Sequence, residues 1–153
     1  MNLPATCDVF VYGTLKPGEA NYLSYCKAKV VSQLYSYTLG DLYILPVGYP
    51  AMTVGNNRVY GVCLRFNDSR ILASLDRLED YQDGRVPDLN EYYRSLTPVY
   101  SLDDWLIGPA WAYFMTRDRV MQYGGVEVTS GCWSGRLSVE ATEEIEIDRK
   151  SSF

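Results

Sequence analysis

The sequence predicts an α+β domain with a curled or barrel-like sheet. Three observations carry this. Strand-length runs of β-branched and aromatic residues recur along the 153 residues. Only two or three stretches have helical periodicity. The two kinds do not alternate regularly, as a parallel βαβ sheet would require. The length suits one domain, placed at 1–137, followed by an acidic tail at 138–153 that holds Glu140, Glu143, Glu144, Glu146 and Asp148.

The elements follow in order. Cys7–Val11 (CDVFV) has the apolar continuity of a short buried strand. It runs into YGTLKPG, where Gly13, Pro17 and Gly18 end it. Residues 19–29 predict a short helix with Leu23 and Cys26 facing inward. Residues 30–37 and 41–45 predict two strands separated by Gly40. Tyr49-Pro50-Ala51 and Gly55-Asn56-Asn57 predict turns. A strong strand is expected at 58–66, and Asn67 and Asp68 then cap a helix over 69–80. Residues 81–90 predict a polar loop around Gly84 and Pro87. Two further strands are expected at 92–100 and 110–115.

Composition removes several functions. Apolar residues make up 47% and charged residues 22%, so the chain can build a core. No run approaches the roughly 18 apolar residues of a membrane-spanning helix. MNLPATCDVF has no basic region ahead of an apolar stretch, so the expectation is no secretory signal and a cytoplasmic location. Lys+Arg is 14 against Asp+Glu 19, a net charge of −5, and no basic patch stands out for nucleic acid. Tyr22, Tyr25, Trp105, Trp111 and Trp133 are expected as core and rim packing rather than a base-stacking platform.

There are 0 histidines. That excludes a Ser-His-Asp triad, a Cys-His pair and histidine-based zinc sites. Cys7, Cys26, Cys63 and Cys132 are widely spaced, with no CxxC pair, so reduced buried thiols and no metal or other cofactor are expected. Catalysis would fall to carboxylates, tyrosines, backbone amides or a bare thiol.

One carboxylate is out of pattern. On a wheel turning about 100° per residue, Ile71, Leu72, Leu75 and Leu78 define the apolar face of the 69–80 helix. Glu79 falls between Leu75 and Leu72, inside that face. Arg77 and Asp80 fall opposite, and Asp76 sits at the border. A carboxyl held out of water favours its neutral form, which moves it towards the range useful for proton transfer. The alternatives are a frayed helix end that turns Glu79 outward, or a pairing with a cation such as Arg94. The YGTLKPG turn offers a second candidate. Successive backbone N–H groups at Gly13 to Leu15, with the Thr14 hydroxyl, can form an anion-binding concavity. The alternative is an ordinary strand-to-loop turn with Tyr12 and Leu15 in the core.

VFVYGTLKPG resembles the signature of the γ-glutamylcyclotransferase-like family. LDRLEDY (75–81) is similar to that family's Leu-Asp-x-x-Glu segment, and YYRSLTPV (92–99) to its Tyr-x-Arg strand. GYPAM, VYGVCLRF, AWAYF and SGCW come in the family's order, over roughly residues 8 to 134. The resemblance implies a small mixed β-barrel flanked by two or three helices. It implies an enzyme that cyclises a γ-glutamyl amine or dipeptide to 5-oxoproline and releases the amine. It implies Glu79 as catalytic acid/base, and Tyr12, Gly13, Thr14, Leu15, Tyr92 and Tyr113 as substrate-binding residues. The partner implied is a small γ-glutamyl molecule. Such a reaction uses the substrate's own amine as nucleophile and needs no histidine. The loop after Glu79 is longer than in compact members of the family, whether it gates the pocket stays open, and it brings a rival carboxylate in Glu91, expected to be exposed. Two other readings stay open: a non-catalytic small-ligand module of the same fold, and a hydrolase with a cysteine nucleophile. The second has no base to activate Cys7 or Cys63.

Overall fold

The computed structural model describes residues 5–135. The acidic stretch 138–153 lies outside them. The strands are β1 (Cys7–Val11), β2 (Val30–Ile44), β3 (Pro50–Phe66), β4 (Tyr93–Ser101), β5 (Leu106–Phe114) and β6 (Val126–Glu127). The helices are α1 (Tyr22–Tyr25), α2 (Ile71–Leu78) and α3 (Arg117–Gln122), with a 3₁₀ turn at Pro87–Leu89. The order β3-β1-β5-β4-β2 closes through a β2–β3 pairing into a five-stranded barrel, and β6 adds to the edge of β2. The barrel is mixed: β1 runs parallel to β5, and the other neighbours are antiparallel.

β1 explains its own composition. It lies between β3 (Val9↔Leu64, Val11↔Val62) and β5 (Val9↔Trp111). Cys7, Val9 and Val11 point to one face and join Leu64, Phe66, Ile71 and Leu75 under α2. Phe10 and Tyr12 point into the barrel with Met52, Val59, Ala112 and Phe114. A strand covered on both faces reads as a continuous apolar run rather than an alternation.

Three expectations needed correction. The strands expected at 30–37 and 41–45 are one strand, because Gly40 does not turn the chain. A Cβ at Gly40 would lie 2.9 Å from Met52 Cγ and Thr53 O, so glycine there permits close approach of β3. Gly55-Asn56-Asn57 likewise sits inside β3. Pairing jumps from Gly40↔Asn57 to Asp41↔Thr53, leaving Val54, Gly55 and Asn56 as a bulge. Asn57 Nδ2 donates to Asp41 Oδ1 across it at 2.7 Å. The helix expected at 19–29 is a single turn. Asn21 N–H is held by Thr14 O at 2.8 Å, and Lys27 N–H reaches back to Tyr22 O and closes the turn. Cys26 is buried, but Leu23 is 70% exposed.

α3 was not expected. Thr116 Oγ1 caps it by accepting from Arg119 N–H at 3.2 Å, and Gly124 leaves it with a positive φ of 78°. Among the described residues no helix is long and apolar enough to cross a membrane. Of the tryptophans, Trp133 is buried in the barrel, whereas Trp105 is 75% exposed.

Candidate functional site

A cavity of about 540 Å³ lies where β1 ends. That is within the usual size of a small-molecule site. Its wall draws on the β1 end (Tyr12, Gly13, Thr14), the β2–β3 turn (Leu45 to Val47, Tyr49, Pro50) and the α2 end (Leu78, Glu79). Phe10, Val11, Asn21, Glu91, Tyr92, Tyr113 and Tyr123 also line it.

The way α2 stops sets the place of Glu79. Glu79 is the C-cap, with its N–H on Leu75 O at 2.9 Å. Asp80 comes next, in the left-handed region at φ 54°. Asp80 N–H then bonds to Arg77 O at 3.3 Å, and Tyr81 N–H to Asp76 O at 2.8 Å. This pair of bonds is a Schellman closure, which satisfies the last carbonyls and stops the end from fraying. Tyr92 N–H donates to Glu79 O at 3.2 Å and ties the cap to the start of β4.

The Glu79 side chain is part-buried, and among the described residues none donates a hydrogen bond to its carboxyl or brings a cation within ion-pair distance. Burial pushes its pKa from 4.5 up to about 7. The cation considered as its partner is engaged elsewhere. Arg94 Nε donates to Asp76 Oδ1 at 2.9 Å and its guanidinium lies 4.4 Å from the Trp111 ring centre. Tyr113 OH donates to the same Asp76 oxygen at 2.6 Å.

The tyrosines form a braced frame. Tyr12 OH donates to Tyr113 O at 2.5 Å and accepts from Met52 N–H at 3.2 Å. Tyr92 OH donates to Pro50 O at 2.8 Å. Burial raises the hydroxyl pKa of Tyr12, Tyr92 and Tyr113, and the Glu79 charge adds to each. These phenols therefore stay protonated.

The turn after β1 is held on several sides. Thr14 Oγ1 accepts from Asn21 Nδ2 at 2.9 Å, and Lys16 N–H bonds to Gly13 O at 3.0 Å. Lys16 Nζ donates to Trp133 O. Glu19 accepts from Ser134 Oγ and Gly135 N–H, both at 3.0 Å. Gly13 is required for a different reason than a left-handed turn. A Cβ there would lie 2.7 Å from Pro50 Cγ. The N–H groups of Gly13, Thr14 and Leu15 meet no acceptor among the described residues.

Of the seven residues singled out in the sequence, Tyr12, Gly13, Thr14, Glu79, Tyr92 and Tyr113 share this wall. Leu15 does not: it is 4% exposed and packs in the core beneath α2. The loop 81–90 contributes no wall residue. Asn90 Oδ1 holds it to itself by accepting from Gln82 N–H at 3.0 Å and Arg85 Nε at 2.8 Å. Glu91 is on the wall. Its Oε2 accepts from Tyr123 OH at 2.9 Å, with Arg119 Nη1 at 3.8 Å.

The family model described as gamma-glutamyl cyclotransferase, AIG2-like, matches residues 9–135. The chain belongs to this family. The AIG2-like match takes in every wall residue of the cavity. The chain is 38% identical over 72 residues to a Vibrio cholerae protein named "Putative gamma-glutamylcyclotransferase". That stretch is 47% of this chain and 61% of the relative, less than two thirds of its length. The crystal structure of an AIG2-like protein from Mus musculus superposes with a TM-score of 0.66 at 18% identity. It covers 87% of this chain and 91% of that one. The solution structure of ytfP from Escherichia coli gives a TM-score of 0.50 at 29% identity, over 82% and 95% of the two chains. The mixed barrel with three helices is the fold of this AIG2-like family.

Within that fold the cavity presents one carboxyl poised near neutrality, backbone donors on the same wall and a phenolic frame. Such an arrangement can move a proton and hold an anion. The thiols do not compete. Burial pushes Cys63 and Cys26 up to about 11 and raises Cys7. Among the described residues no three His, Cys, Asp or Glu gather as a metal site.

Tyr49, Pro50, Asn21, Glu91 and Tyr123 are wall residues that the sequence did not single out for the site, apart from Glu91 as a rival. The one local signal was Tyr49-Pro50 in GYPAM. The others come together only through the β2–β3 closure and α3.

Proposed function

We propose that this chain is a γ-glutamyl cyclotransferase with Glu79 as its acid/base. One observation carries the reading: the Glu79 carboxyl is unpaired, part-buried and shifted to about 7 on the wall of a cavity that Gly13 and Thr14 also line.

The chemistry needs little else. The α-amine of a γ-glutamyl substrate attacks its own γ-amide carbonyl carbon. The enzyme must fold the substrate so that nitrogen and carbon are in near-attack contact. The amides of Gly13 and Thr14 hold the α-carboxylate. Ionised Glu79 takes a proton from the α-ammonium, freeing the lone pair. The new C–N bond gives a tetrahedral intermediate. Glu79 then delivers its proton to the leaving nitrogen as the old C–N bond breaks, and the surplus proton still on the ring nitrogen passes to the released amine, which departs as its ammonium. The products are 5-oxoproline and an amine, and the carboxylate is restored. A carboxyl with a pKa near 7 performs both transfers at neutral pH.

The test is 5-oxoproline release from a panel of γ-glutamyl amines and dipeptides. Glu79→Gln is expected to lower kcat by about 10²–10⁴-fold with an unchanged far-UV spectrum. Full turnover by that variant overturns the acid/base role. Binding without turnover across the panel, by the unaltered protein, moves the reading to a ligand-binding module.

A further inference from the structure

The turn after β1 closes on a residue that the proposed reaction does not use. Asn21 holds Thr14 twice. Its backbone N–H donates to Thr14 O at 2.8 Å, and its side-chain Nδ2 donates to Thr14 Oγ1 at 2.9 Å. Both residues line the cavity. We propose that Asn21 is a positioning residue for the substrate α-carboxylate, fixing the Thr14 hydroxyl as a donor aimed into the cavity. This role rests on the cyclotransferase reading and adds a residue to it.

A hydroxyl has one proton to give and lone pairs to receive. The Asn21 amide gives a proton to Thr14 Oγ1, so the proton of that hydroxyl turns away from Asn21. Among the described residues no acceptor claims it, and none claims the N–H groups of Gly13 and Thr14. Donors therefore gather at one turn on the cavity wall. A carboxylate accepts several such bonds at once, and each is stronger than its neutral counterpart. A hydroxyl without a fixed donor beside it rotates freely. The clasp removes that freedom before a ligand arrives, which lowers the cost of binding.

The local preference of Asn21 is overridden to make this clasp. It stands at the N-cap of α1, where an asparagine oxygen normally accepts from a backbone N–H of the first turn. Here the side chain makes no cap bond, and the backbone lies at φ −101° and ψ −3° rather than in the extended region of a cap. α1 stays a single turn of 4 residues. The amide that would have capped it reaches seven residues back to Thr14 instead. Departures from local preference concentrate at functional sites.

The experiment measures kcat and KM for 5-oxoproline release from γ-glutamyl-n-pentylamine. It also measures calorimetric binding of 5-oxoproline and of 5-oxoprolinamide, whose carboxylate is replaced by a neutral amide. Asn21→Ala is expected to raise KM and weaken 5-oxoproline binding by about three- to tenfold, with kcat held within about twofold. The loss for 5-oxoprolinamide is expected to be smaller. Asn21→Asp keeps a good cap residue but offers Thr14 only acceptors, which draws the hydroxyl proton back from the cavity. Its 5-oxoproline binding is expected to fall at least as far, with an unchanged melting temperature. Thr14→Ser is expected to keep binding and Thr14→Val to weaken it about tenfold. Adding Asn21→Ala to Thr14→Val is expected to change nothing further. Additive losses in that pair, or an unchanged KM in Asn21→Ala, overturn the positioning role and leave the cyclotransferase reading intact. Binding of 5-oxoproline that depends on Asn21 through Thr14, in a protein that releases no 5-oxoproline, overturns the enzyme reading and keeps the clasp.

Discussion

Arg94 donates to Asp76, one turn before Glu79 on α2, and so leaves the Glu79 carboxyl without a cation. Both partners are largely shielded, at 16% and 18% side-chain exposure. Asp76 thereby acts as a positioning residue for the proposed chemistry. Tyr113 senses Arg94 and Glu79 at once, so the guanidinium and the carboxyl share one electrostatic neighbourhood. The Glu79 charge also adds to the raised hydroxyl pKa of Tyr12 and Tyr92, and both stay neutral.

Asp76→Asn should therefore move the pH profile. The unneutralised Arg94 charge favours ionised Glu79, so the acid limb of kcat/KM shifts to lower pH. Stability should fall by about 1–3 kcal/mol, because Arg94 loses its partner in a shielded place. Asp76→Ala combined with Arg94→Leu should restore the limb. A pH–rate profile that stays fixed in Asp76→Asn while stability drops would reduce Asp76 to a packing role.

Glu79 also predicts a pH dependence of folding. Its pKa is about 7 folded against 4.5 as an isolated group. Between those values the folded protein binds more protons than the unfolded chain, so stability falls as pH rises through the window. Above about pH 7 the contribution levels off. Glu79→Gln removes the dependence and should stabilise the protein at pH 8 by about 1–3 kcal/mol, allowing for partial exposure. Urea titrations at pH 5 and 8 measure it. The same pH slope in wild type and variant would place the proton elsewhere.

Local patterns carried much of this structure. β1 was legible because both its faces are apolar, and the placement of Glu79 because helical phase is counted over a few residues. The closure of the barrel was not. Gly40 and Gly55-Asn56-Asn57 have the chemistry of turns, and only their pairing across β2 and β3 makes them a close approach and a bulge. Leu15 looked like part of the turn's binding edge, yet its side chain turns to the α2 core. Glu91 looked like an exposed neighbour of a strand. Tyr123, supplied by the end of α3, draws it into the wall.

Gly13→Ala should cost stability as well as ligand binding. The added Cβ meets the Pro50 ring at 2.7 Å, and a proline ring on a strand start yields little. Pro50 O also takes the Tyr92 hydroxyl, so the strain spreads to that side of the cavity. A loss of about 1–3 kcal/mol is expected, with weaker binding of γ-glutamyl conjugates. Chemical denaturation and calorimetry on one preparation separate the two effects. An unchanged midpoint would mean that Pro50 is free to move.

Asp80→Gly should act in the opposite direction. Asp80 ends α2 with φ at 54°, which glycine adopts without a Cβ penalty. Its ion pair with Arg85, at 3.3 Å and with Asp80 60% exposed, contributes little. Relief of the left-handed backbone outweighs that pair and the extra freedom of glycine in the unfolded chain, for a net gain of about 0.5 kcal/mol. The melting temperature should rise by roughly 1–4 °C. The bonds that set Glu79 in place run from the Asp80 and Tyr81 backbone amides and survive the change. The acid limb of the pH–rate profile should therefore stay where it is. A shift of that limb would show that the Asp80 carboxylate, and not burial alone, sets the ionisation of Glu79.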